Sequence, residues 1–214
     1  MRAILQRLSP RGEFWLVLVL AFGYFVVRST MAFFAGSARV LTTRWAVSLV
    51  AYEIIMLAIV IGIAKARGWS WRELAPRPTL LGTIGGLVLS FGCTMLVSVS
   101  YLVTSIFVRV PKPPITSQSL ALWAIVLIAL INPIFEEALV VGYVVRMTGA
   151  RGAAFAITVS ALLRLAYHTY QGPSAVISIF PVGILFAAIY AKYRDLWPIV
   201  VAHAVLDYFS LSRL

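Results

Sequence analysis

The chain has 214 residues, of which 62% are hydrophobic and only 12% charged, and its mean hydropathy is +0.97. That much apolar surface exceeds what one water-soluble core hides, so composition excludes a soluble domain and points to a polytopic membrane protein. The net charge of +11 does not indicate nucleic acid, because the basic residues fall in short clusters between apolar runs and form no basic face interleaved with aromatics.

Arg2, Arg7 and Arg11 precede an apolar run from Phe14 to Val27, with Ala35-Gly36-Ser37-Ala38 downstream. This is the outline of a cleaved signal peptide, yet so many spans follow that a first transmembrane helix is the better reading. Seven candidate spans come in order, at 13–34, 45–65, 79–107, 119–145, 152–170, 174–191 and 197–211, several near the ~20 residues that cross ~30 Å of hydrocarbon. The last three are short or closely spaced, which leaves room for a re-entrant segment.

Lys and Arg number 3, 4, 2 and 2 in the N-terminal segment, 65–78, 146–152 and 192–196, and 3, 2, 0 and 1 in the intervening segments 28–44, 108–118, 171–173 and 212–214. An excess of 11 over 6 predicts a cytoplasmic N-terminus. Trp69 and Trp71 among the basic residues of 65–74 suit an interfacial loop. Pro111, Pro113 and Pro114 stiffen the connection before the fourth span. The expectation is an all-α polytopic membrane helix bundle of about seven transmembrane helices in one integrated domain, three spans in 1–110 and a four-helix core in 111–214. Cys93, the single cysteine, excludes an internal disulfide and a Cys-based zinc site.

Seven ionisable residues lie away from the span ends: Glu53, Glu136, Glu137, Arg164, His168, His203 and Asp207. An acid near a helix centre costs roughly 2.5–3.5 kcal/mol on insertion scales, so these groups need partners or a function. Arg164 and His168, like His203 and Asp207, are four apart and share a helix face, whereas the adjacent Glu136 and Glu137 point about 100° apart and cannot share one role equally.

Two mechanisms fit. A carboxylate and a histidine could activate water while other donors stabilise the oxyanion, or His168, His203 and Asp207 could hold a divalent metal such as zinc. Buried acids and bases also pair simply to hold helices together, and a small proton-coupled transporter needs similar groups. Six such residues on three helices argue against mere glue, and no pair of broken helices repeated in two halves speaks for transport.

Glu136-Glu137, then Tyr167-His168 with Tyr170-Gln171-Gly172, then His203-Ala204-Val205-Leu206-Asp207 resemble, in order, the motifs EExxxR, FxxxH and HxxxN or HxxxD of the CAAX-protease and bacteriocin-processing (CPBP, Abi) family of intramembrane proteases. The similarity covers about 119–211; Arg67 to Leu74 is similar to a loop of bacterial members. The resemblance implies an endopeptidase of a bacterial plasma membrane acting on a peptide or membrane-protein substrate. Glu136, helped by His168, would activate water; His203 and Asp207 would stabilise the oxyanion; Glu137 and Arg164 would support them. It leaves metal-dependent and glutamate-dependent chemistry both open, and nothing in the chain specifies a prenyl-binding groove. An inactive scaffold or immunity-type factor is the alternative within the same family.

Three positions depart from the motifs: Val141 stands where the first expects Arg, Arg164 where the second expects Phe, and Asp207 where many members have Asn. The first two read as one exchange, in which Arg164 supplies across two helices the charge that Val141 cannot give Glu137. A neutral Asp207 could donate a hydrogen bond as Asn would, while an ionised one favours metal binding. Measured from the basic clusters at 1.5 Å per residue, Glu136, His203 and Asp207 fall about 15, 10 and 16 Å deep, but His168 about 24 Å. Glu53 is expected to pair with Arg28 or to support the site, Tyr143 and Gly142 to pack, and Pro133 either to loosen the fourth helix toward the carboxylate or to make a plain packing kink; Tyr167 could hydrogen-bond a buried carboxylate or sit at a helix contact, and its role stays open.

Overall fold

A computed structural model describes residues 7–70 and 74–214; Trp71, and with it part of the expected interfacial loop, lies outside these. Among the described residues seven longer helices run in the expected places: α1 Pro10–Ala35, α2 Thr43–Ala66, α3 Leu80–Phe107, α4 Leu122–Arg151, α5 Ala153–Tyr167, α6 Pro173–Tyr193 and α7 Trp197–Ser212. By length and composition α1, α2, α3, α4 and α6 can each cross a membrane, whereas α5 and α7 have 15 and 16 residues. The protein is an all-α integral membrane bundle.

Helix starts are set locally. Pro10 follows the N-cap Ser9, whose hydroxyl accepts from Gly12 N at 3.1 Å; Thr42 and Thr79 cap α2 and α3 through Trp45 N at 3.1 Å and Gly82 N at 3.0 Å. Each cap satisfies one of the backbone donors that a helix N-terminus leaves open. Two short strands, β1 Arg39–Leu41 and β2 Ile115–Ser117, pair in parallel with Arg39 opposite Ile115. The proline-stiffened connection thus ends in a ribbon, which periodicity did not reveal because three residues per strand carry no pattern.

The centre of the bundle is α4. In its most apolar stretch 72% of residues are buried, against 22% in α3, whose outer face is left for lipid. Pro133 does not break it: α-helix continues to Glu136, and the widened π turn Glu137–Tyr143 follows, every residue of it buried. Such turns leave carbonyls without their usual partner, and Ser160 of α5 donates to the Val140 carbonyl at 2.7 Å.

Close approach of α7 to α3 depends on Gly82 and Gly86, four residues apart. A Cβ at Gly86 would lie 2.5 Å from Val201 Cβ and 2.7 Å from the Pro198 carbonyl. Small residues at this spacing let helix backbones meet in lipid, where dispersion rather than the hydrophobic effect drives association. Gly142 serves similarly, its Cβ position 3.2 Å from Leu196.

That contact explains a discrepancy in depth. Helix α4 extends beyond Arg146 to Arg151, so Glu136 and His168 each lie 15 residues, about 22 Å, from the α4–α5 junction. Because Leu196 packs on Gly142, α7 begins inside the bundle rather than at its edge. Seven residues later, about 10 Å, His203 reaches the level of the two glutamates.

Candidate active site

The side chains that sequence singled out converge on a cavity of about 700 Å³, lined by Glu53, Glu136, Arg164, His168, His203 and Asp207 among others. Glu137 lies behind its wall, fully buried. Asn132 and Tyr167 also face the cavity, and it extends to Arg39, Leu41 and Ile115 of the ribbon.

Arg164, 3% exposed, is the hub. Its Nη2 donates to both carboxylate oxygens of Glu137 at 2.7 Å, and its Nη1 to Glu136 Oε2 at 3.2 Å. The expected pairing with Glu137 is therefore present, and the guanidinium reaches both neighbours because its planar fork presents donors along more than one edge. Phe186 of α6 lies under it, 5.6 Å from ring centroid to guanidinium carbon. Gly183 makes the room: a Cβ there would sit 3.2 Å from Arg164 Cδ. Neither residue was legible as part of the site, since a Gly and a Phe in an apolar helix give no chemical signal.

The two glutamates differ as their 100° separation requires. Glu137 is saturated, accepting from Arg164 at both oxygens and contacting His203 Nδ1 through Oε1 at 2.5 Å. Glu136 takes Tyr167 Oη at 2.6 Å and Arg164 Nη1 on the same oxygen, Oε2, and no described residue donates to Oε1. Tyr167, whose role sequence left undecided, is thus a hydrogen-bond donor to this carboxylate.

His203 lies between two acids. Its Nδ1 faces Glu137 and its Nε2 is 3.4 Å from Asp207 Oδ1, one turn along α7. Asp207 Oδ2 accepts from Asn132 Nδ2 at 3.0 Å. Asp207 thus accepts at Oδ2 and faces the imidazole with Oδ1, an arrangement that holds the ring from its second side. His168 caps α5. Its Nδ1 is 3.0 Å from the Arg164 carbonyl, which fixes a proton on Nδ1 and leaves the Nε2 lone pair of the neutral ring for the cavity. The following turn is anchored to α1, with Ser29 Oγ 2.9 Å from Thr169 Oγ1 and accepting from Tyr170 N at 2.9 Å.

Among the described residues one set of ligand atoms lies close enough for a metal, Glu136, Glu137 and His203, all within 4.8 Å of one another. It differs from the expected set of His168, His203 and Asp207, which forms no such group. The donor chemistry of the close set does not suit a divalent ion. Both carboxylates are already ion-paired to Arg164, and His203 Nδ1 points at Glu137 rather than at a shared centre. A metal there would meet a permanent cation within about 3 Å of its ligands and strong repulsion in a medium of low dielectric.

Glu53 does not pair with Arg28: no ion pair joins them, and Glu53 Oε2 is buried without a hydrogen-bond partner. Tyr143 packs as expected and places its hydroxyl 3.5 Å from Glu13 Oε1. Pro133 is buried in an α-helical stretch that continues to Glu136.

Residues 118–209, somewhat less than half of the chain, match the family described as type II CAAX prenyl endopeptidase Rce1-like. The match spans all three motifs and is consistent with a CPBP-family intramembrane protease. At the level of the family it supports a membrane-embedded CAAX-type endopeptidase. No curated protein and no solved structure matches the chain.

Proposed function

We propose that this chain is an intramembrane endopeptidase that hydrolyses peptide bonds of a membrane-associated protein or peptide, with Glu136 as the water-activating base. One observation carries the reading: of the three carboxylates in the ion network, only Glu136 lines the cavity with an oxygen that no described residue occupies. Tyr167 and Arg164 orient this carboxylate through Oε2, and Oε1 is left to accept a proton from water. The lone pair of His168 Nε2 supplies a second acceptor on the same cavity.

Hydrolysis then balances simply. Water adds its oxygen to the scissile carbonyl carbon and gives a proton to Glu136. The oxyanion forms in the field of the Arg164 guanidinium and the His203 imidazole. As the C–N bond breaks, Glu136 returns the proton to the leaving amine. Glu137 takes no part in proton transfer; it holds Arg164 and His203 in place, and Asp207 with Asn132 holds the other side of His203. No step runs through a metal. The resemblance of the 67–74 loop to bacterial members supports a bacterial plasma membrane as the location.

The test is cleavage of a peptide and membrane-protein library by the purified protein beside its Glu136→Gln variant. Cleavage by the wild type alone is expected. Equal inactivity of both, with the wild type moving protons or solute across liposomes, would overturn the protease reading in favour of transport.

A further inference from the structure

Among the described residues two buried side-chain atoms lack a hydrogen-bond partner, Arg164 Nε and Glu53 Oε2. Arg164 is held by two carboxylates through its other nitrogens, whereas Glu53 takes part in no ion pair. Glu53 is 1% exposed, yet it lines the same cavity as Glu136, His203 and Asp207.

Its position follows from how α2 meets α4. Both helices start at the ribbon end, where Thr43 Oγ1 donates to the Ser119 carbonyl at 2.6 Å and accepts from Ala121 N at 2.8 Å. Ala46 and Val50 of α2 pack with Ala124 and Ile128 of α4 in one apolar cluster. Continuing the stripe by one turn brings Glu53 to the level of Asn132, one turn before Glu136. A carboxyl group at that place interrupts an otherwise apolar contact, and leaving its oxygen unsatisfied is costly. Buried acceptors without donors are rare, and one on the wall of a reaction cavity calls for a donor that arrives with the ligand.

Peptides bring that donor. A peptide entering between Phe22, Phe25, Leu49, Ile128 and Phe135 loses the water on its backbone N–H groups, and each then needs an acceptor on the protein. We infer that Glu53 accepts a hydrogen bond from a backbone N–H of the bound peptide near the scissile bond, which makes α2 part of the substrate site. The inference rests on the endopeptidase reading for the class of ligand. It reaches beyond the segment that matches the family, because α2 lies outside 118–209.

Binding tests it without cleavage. The full chain carrying Glu136→Gln, in detergent, is titrated with a fluorescently labelled Leu/Ala-rich peptide and with versions in which one amide N–H at a time is replaced by an ester oxygen. Saturable binding is expected, with one ester position weakening it roughly 10- to 100-fold. That loss should vanish as a separate effect once Glu53→Leu is added, while Glu53→Gln, which keeps an acceptor oxygen, should bind within about threefold of the parent. Unchanged affinity in Glu53→Leu, equal binding of all ester versions, or no binding of the peptide overturns the inference. Failure of the wild type to cleave a peptide that binds in this Glu53-dependent way would instead overturn the endopeptidase reading alone.

Discussion

Two arginine–carboxylate pairs can be compared directly. Arg67 Nε donates to Glu13 Oε2 at 2.7 Å, and Arg164 Nη2 donates to Glu137 at the same distance. Their surroundings differ. The Arg67 side chain is 17% exposed at the end of α2, and its carboxylate sits in the first turn of α1, away from the cavity. The Arg164 side chain is 4% exposed and contacts a second carboxylate, and its partner also holds an imidazole. The first pair joins two helix ends; the second fixes Glu136 through the arginine and His203 through the glutamate, both on the wall of the cavity. An ion-pair distance therefore says little about purpose, and the neighbouring charges say most.

Mutations can break or sharpen this contrast. The largest effect is expected at Glu136, where Glu136→Gln should lower kcat about 10³-fold, the middle of the range for general-base removal, with the melting temperature nearly unchanged. Arg164→Phe should come next. It strips Glu137 of its arginine and leaves His203 as the remaining partner of a buried carboxylate, a loss of about 3–5 kcal/mol readable as a lower melting temperature in detergent together with lost cleavage. Adding Val141→Arg should restore part of both, since Val141 packs beside Phe186 and an arginine there returns a cation to the same region. If the double variant is no better than Arg164→Phe alone, the exchange of charge between the two positions is not the reason for the two departures from the motifs.

Tyr167→Phe removes one of the two donors on Glu136 Oε2 and should cost about 1.5–3 kcal/mol of transition-state stabilisation, measured as kcat/KM, with little change in folding. At the interfacial pair, Glu13→Gln should lower stability by about 1 kcal/mol and leave kcat alone, which is the sharpest contrast with Arg164. The smallest change is expected from treatment with a strong chelator: cleavage should persist, and metal analysis of active protein should show no stoichiometric divalent ion.

Much of the fold was legible because a membrane leaves few choices. Apolar runs interrupted by basic or proline-rich segments gave seven helices close to their observed bounds, since backbone groups in lipid must be satisfied within the helix. The buried ionisable residues stood out for the same reason: Arg164 or Glu137 in an apolar span is too costly to be accidental. The 3.6-residue period also placed His203 and Asp207 on one face of α7, where Nε2 and Oδ1 lie 3.4 Å apart. What sequence missed had no such mark. Asn132 looks like an ordinary packing residue and Gly183 like any membrane glycine, while Tyr167 stayed undecided and Glu53 had two readings, an ion pair with Arg28 or support of the site.

Depth was the other failure of linear reasoning. A helix can start at any level, and only the packing of Leu196 against Gly142 shows that α7 begins inside the bundle. The sequence by itself determined the helices and the identity of the costly charges, because hydropathy and helical period are properties of a single segment. Tertiary structure alone decided which oxygen of which carboxylate stays unoccupied. That depends on donors from α4, α5 and α7 meeting at one point, with Gly183 of α6 making room for the arginine between them.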